Sequence, residues 1–142
     1  MILGLALAVS LQAAPPLAAP DPRLTPGVVL STSAQTVCVP GYAAGVRRVS
    51  VGLKQRVFAA YGLAYDPARY ETDHLISLEL GGSNDPKNLW PQPWPEARRK
   101  DVVETHLKRQ VCAGRLSLKQ AQRLVRDWAP VYRAFKQAQK KP

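Results

Sequence analysis

The chain has 142 residues, 46% of them hydrophobic and 21% charged, which suits one compact domain and excludes most multidomain enzymes as well as a disordered polymer. Twenty Lys and Arg against ten Asp and Glu leave a formal charge of +10, which favours acidic partners. The excess is local: residues 1–97 carry seven basic and seven acidic side chains, whereas residues 98–142 carry thirteen basic and three acidic ones.

Residues 2–11 (ILGLALAVSL) form a weakly polar run too short to span a bilayer, and small residues and prolines follow it. This pattern predicts a signal peptide over residues 1–19, cut between about 13 and 20, although no Lys or Arg follows Met1. The mature chain is then exported, periplasmic or secreted, with no membrane segment left. In such a compartment the two cysteines, Cys38 and Cys112, are expected to pair as a disulfide. A zinc site would need more ligands at close spacing than these two offer.

Residues 20–48 are rich in Pro, Ser and Thr without a period, so an extended lead-in carrying Cys38 is predicted, followed by a domain over residues 49–142. Ser50 suits the N-cap of a helix with Leu53, Val57 and Ala60 on one face, stopped by Gly62. Residues 70–80 (YETDHLISLEL) read as a strand, Gly81 to Pro86 as a turn, and residues 88–91 as a returning strand. After Pro95 a helix runs to Cys112, with Val103, Leu107 and Val111 on one stripe and Ala113-Gly114 closing it. Ser117 and Gln120 make a capping box for a last helix, whose seam of Leu118, Ala121, Val125, Trp128, Tyr132 and Phe135 is kinked or divided by Pro130. The fold class expected is α+β: a small β-hairpin plus helix, flanked by an N-terminal helix and a C-terminal helical hairpin.

The chemistry is concentrated in Asp73-His74, the Gly-Gly turn, Asn88 and the helix after them. An imidazole titrates near neutrality and can take a proton from water. Asp73 is a hard oxygen ligand for a divalent cation, and Asn88 can hold backbone or imidazole through its amide. The next helix offers positive dipole near its start together with Arg98, Arg99 and Lys100 as phosphate-binding groups.

The stretch DHLISLELGGSNDPKNLWP resembles the ββα-metal core of HNH-type (His-Me finger) endonucleases: an Asp-His pair, an apolar strand, a Gly-Gly-x-Asn turn and an Asn-Leu-x-Pro return. About twenty residues carry the likeness. A wider one, from Val37-Cys38-Val39-Pro40-Gly41-Tyr42 to the Trp128 helix, is to small exported bacterial proteins described as HNH-nuclease-like. The resemblance implies metal-dependent hydrolysis of nucleic-acid phosphodiester bonds, without sequence specificity and with DNA favoured over RNA. Asp73 takes the place of the metal ligand, His74 that of the general base and Asn88 that of the middle Asn, catalytic with His74. One divalent ion is implied, Mg²⁺ or Mn²⁺ first, with Zn²⁺ or Ni²⁺ as alternatives.

The third motif residue, a His or Asn about nine positions after the middle Asn, falls near Ala97, which binds no metal. Glu96, Asp101, Glu104 and His106 are the nearby candidates. Asp101 lies one turn beyond Ala97 on nearly the same face and is preferred; Glu104 borders the buried stripe; His106 lies about 140° around the helix from Asp101. The gap at Ala97 motivates a second expectation, a catalytically degenerate exported module that binds nucleic acid or another polyanion on the same fold. Nothing in the sequence specifies an oligomeric state.

Overall fold

The computed structural model describes residues 19–140; the expected signal segment therefore lies almost wholly outside the described residues. Its elements are α1 (Ala34–Val37), α2 (Tyr42–Val46), α3 (Val51–Ala60), β1 (Tyr70–His74), β2 (Leu89–Pro93), α4 (Trp94–Cys112), α5 (Leu118–Arg126) and α6 (Trp128–Ala138). The architecture is mixed α and β, with helices flanking one two-stranded antiparallel hairpin. Within the lead-in, α1 and α2 interrupt the expected extended chain; Ser33 caps α1 by accepting from the Thr36 amide.

The hairpin pairs Tyr70 with Pro93, Asp73 with Trp90 and His74 with Leu89. The expected strand over residues 70–80 ends at His74, six residues early, because the chain then turns inward. Past that point Leu75 donates its amide to the Asn88 carbonyl at 2.8 Å. The Asn88 side chain takes over from the ladder: Oδ1 accepts from the Ile76 amide at 3.0 Å and Nδ2 donates to the Ile76 carbonyl at 2.9 Å. Leu78–Leu80 form one 3₁₀ turn, and Gly81 follows at φ 80°. A Cβ at Gly82 would stand 1.7 Å from the Ile76 carbonyl oxygen, so no side chain fits there.

Helix α4 is the axis against which the hairpin, α1, α5 and α6 pack. Its buried positions are Ala97, Lys100, Val103, Leu107 and Val111, steps of three and four that keep one face inward. Val103, Leu107 and Val111 join Val37, Ile76, Leu80, Leu118, Ala121 and Val125 in the core. Around Phe58, the rings of Tyr65 and Tyr70 pack edge-on at 5.2 and 6.0 Å. Trp90 is buried in the core rather than offered to solvent.

The capping box is present: Ser117 Oγ accepts from the Gln120 amide, and Gln120 Oε1 accepts from the Ser117 amide. The last helix is divided, as its Pro130 predicts, into α5 and α6 at Asp127. Pro130 explains the place of the break, because its ring would clash with the carbonyl four residues earlier, at Arg126, where α5 stops. Cys38 and Cys112 form the expected disulfide, joining the end of α1 to the end of α4 across a separation of 74 residues. It is consistent with an oxidising compartment. No helix among the described residues is long and apolar enough to cross a membrane.

Candidate functional site

Asp73 and His74 end β1 side by side, at the point where the ladder stops and α4 crosses behind the strand. Together with Ala43, Arg47, Glu71, Ser77, Leu78, Glu79, Asp101 and Glu104 they line a cavity of about 170 Å³. Four segments contribute to it, namely α2 with the residue after it, β1, the turn following β1, and the second and third turns of α4.

His74 is 4% exposed, and its Nε2 lies 3.2 Å from Asn84 Oδ1. The Asn84 amide is pinned from two sides: Nδ2 donates to the Val46 carbonyl at 2.7 Å, and Oδ1 accepts from the Arg48 amide at 3.2 Å. Oδ1 can only accept, so Nε2 must carry the ring proton and Nδ1 keeps its lone pair. Among the described residues no group hydrogen-bonds Nδ1. Burial pushes the imidazole pKa down to about 4, against the Asn84 hydrogen bond and the Asp73 charge, which both favour protonation. His74 is therefore a neutral ring of defined tautomer that lines the cavity, with Nδ1 as its basic nitrogen.

Lys100 is the unexpected member of the site. As a phosphate-binding group beside Arg98 and Arg99 it is corrected by its burial: only 1% of the residue is exposed, so it cannot reach a nucleic-acid backbone. Its position on the inward stripe of α4 causes this. Nζ donates to the His74 carbonyl at 2.7 Å, lies 2.8 Å from Asp73 Oδ2 and meets Glu104 Oε1. The Asp73 contact falls outside hydrogen-bond angles, so it is coulombic rather than directional. Burial alone would lower the Lys100 pKa, but Asp73 and Glu104 overcome it and hold the ammonium charged. Arg98 and Arg99 do lie exposed on the first turns of α4.

The cavity wall is rich in carboxylates. Burial, joined by repulsion from Asp73 and Asp101, pushes Glu71 up to about 7. Burial pushes Glu104 up to about 8, with the Lys100 ammonium opposing the rise and the Asp73 charge adding to it. Asp101 is also raised, by burial and then by Asp73. Five carboxylates border this cavity, while Arg47 is the one cation in its wall and Lys100 stands behind it.

Asn88 is corrected from a catalytic to a positioning role. It is fully buried and spends its amide on Ile76, on the Ser83 carbonyl at 2.8 Å and on the Val28 amide at 3.4 Å, so it holds the turn and does not line the His74 cavity. The imidazole is held by Asn84 instead. Sequence reasoning passed over that residue although the Gly-Gly-x-Asn turn contains it. His106 is corrected as a ligand: its ring packs 4.9 Å from that of Phe135 beside α6, away from Asp73 and His74. Asp101 and Glu104 do border the cavity. Arg47, on its rim, was hidden from sequence reasoning by lying in the lead-in.

The donor set suits a hard divalent ion in kind and in charge, being all oxygen and more acidic than its two cations balance. Ser77 Oγ is buried in the same wall with no hydrogen-bond partner. Among the described residues, however, no three Asp, Glu, His or Cys side chains are gathered into a metal-holding group. Asp73 and Glu104 are instead drawn onto Lys100. No protein-family model matches the chain, and neither the curated proteins nor the solved structures contain a match to it.

Proposed function

We propose that this chain is an exported nuclease that hydrolyses nucleic-acid phosphodiester bonds, as its likeness to HNH-type endonucleases implies. The observation that carries the reading is the His74 ring on the cavity wall, whose tautomer Asn84 fixes so that Nδ1 keeps its lone pair. The order of the hairpin and α4, with Asp73 beside the base, supports it as well. His74 Nδ1 takes the proton of the attacking water. Asn84 holds the ring and its tautomer, and Lys100 holds the His74 carbonyl. Arg47 at the rim and Arg98 and Arg99 on α4 bind backbone phosphates without reading bases, with DNA favoured over RNA. Asp73, with Asp101 or Glu71 beside it, would hold a divalent ion, Mg²⁺ or Mn²⁺ first, and such an ion supplies the positive charge that lets a phosphate approach an acidic wall.

The test is cleavage of plasmid DNA by the disulfide-bonded chain with Mg²⁺ or Mn²⁺. His74→Ala should lower the rate by about a hundredfold or more while leaving the far-UV circular dichroism unchanged. Failure of the wild-type chain to cut DNA or RNA with any of several divalent ions would sink the reading. A second reading, a polyanion-binding module without catalysis, is favoured by the ion pair that occupies Asp73. It predicts salt-sensitive DNA binding that His74→Ala leaves untouched.

A further inference from the structure

A lysine buried beside the Asp-His pair is costly unless its charge is used, since an ammonium loses its hydration on entering the interior. Lys100 is 1% exposed, and its ammonium has three partners: it donates to the His74 carbonyl and to Glu104, and it pairs coulombically with Asp73. The position lies one helical turn after Ala97, where the resemblance expects a metal ligand, on the same inward stripe. The ammonium thus touches two carboxylates that border an acidic cavity, with the buried, unpartnered Ser77 Oγ in the same wall. A positive charge set between two carboxylates does part of what a metal ion would do there.

We propose that the Lys100 ammonium is a built-in cation that competes with a divalent ion for Asp73 and Glu104, and so sets the divalent-ion affinity of the cavity. The proposal rests on the reading above that this cavity takes such an ion. Two charges of like sign repel strongly at contact distance in a partly desolvated site. A divalent ion entering the wild-type cavity must therefore displace Lys100 or settle on Glu71 and Asp101 at a distance from it. Removing the ammonium frees Asp73 Oδ2 and Glu104 Oε1 at once.

The experiment is calorimetric titration of the disulfide-bonded chain with MnCl₂, wild type against Lys100→Met, with Lys100→Met/Asp73→Asn as the control. The variant should bind Mn²⁺ roughly tenfold more tightly or better, as expected for loss of a contact repulsion, and the control should lose that gain. Equal or weaker binding by Lys100→Met overturns the proposal and leaves the metal reading standing. Absence of binding in both proteins overturns the two together. Loss of the buried cation can also unfold the chain. In that event the readout is circular dichroism with and without Mn²⁺ on Lys100→Met and Lys100→Gln: recovery of the fold by Mn²⁺ supports the competition, and chains that stay unfolded in millimolar Mn²⁺ overturn it.

Discussion

His74 Nε2 lies 3.2 Å from Asn84 Oδ1, and Asn84 is itself locked to the backbone of Val46 and Arg48. This relay joins the end of β1 to the segment after α2 and decides which imidazole nitrogen is the base. Two turns that are remote in sequence are thereby coupled through one amide.

Replacing the amide should separate orientation from base strength. In Asn84→Ala the ring loses its Asn84 partner and the competent tautomer is no longer enforced. Cleavage should fall by about tenfold to a hundredfold, with a smaller change in KM than in kcat. Asn84→Asp places an acceptor at the same point and should retain more activity than Ala, while the added charge raises the His74 pKa. A steady-state comparison of the three proteins checks this; equal kcat values would remove Asn84 from the mechanism.

The pH dependence of stability follows from groups with opposite signs. His74 falls to about 4 in the fold, so the native state resists a proton that the unfolded chain accepts. Its contribution, on the order of 3 kcal/mol, is present above the unfolded value of about 6.5 and is lost as pH falls toward 4. Glu71 and Glu104 rise to about 7 and 8, so the native state keeps protons that the unfolded chain releases above about 4.5. Their contribution is present at low pH and lost as pH rises through 7 and 8. Thermal melting should therefore show Tm falling from pH 6.5 to 9, and Glu104→Gln should flatten that fall. A wild-type Tm that rises over the same range would contradict the assignment.

The disulfide closes a 74-residue separation that includes the whole hairpin. In the chain-entropy account, opening it costs about 4 kcal/mol. Cys38→Ser/Cys112→Ser should thus be destabilised by roughly that amount in urea unfolding, with the loss coming from the unfolded state rather than from new cavities. A change under 1 kcal/mol, flagged by an unshifted midpoint, would show that the α1 to α4 packing already confines the loop.

Local signals in this chain were legible wherever one residue type has one physical use. Ser50 and Ser117 cap helices because their hydroxyls satisfy free amides, and Pro130 marks the end of α5 through its ring. The capping box, the hairpin, the helix to Cys112 and the cysteine pairing could all be read this way. So could Asp73 and His74 as neighbours on the cavity, because adjacent residues at a strand end need no long-range information. Within the lead-in, α1 and α2 escaped notice because four- and five-residue helices carry no period.

The division of labour among polar residues was decided by packing. Asn84 and Asn88 are four residues apart and chemically identical, yet one faces His74 and the other replaces a strand in pairing with Ile76. Which does which depends on how the Gly81-Gly82 turn folds onto Ser31 and Ile76. The basic count likewise said where charge lies along the chain, with thirteen of the twenty cations after residue 97, but not which side of α4 each one takes. Lys100 sits at the spacing of Ala97, Val103, Leu107 and Val111, and so is carried inward. Composition made it a surface cation; the three-dimensional fold, by bringing Asp73, Glu104 and the His74 carbonyl to one point, made it the counter-ion of the site.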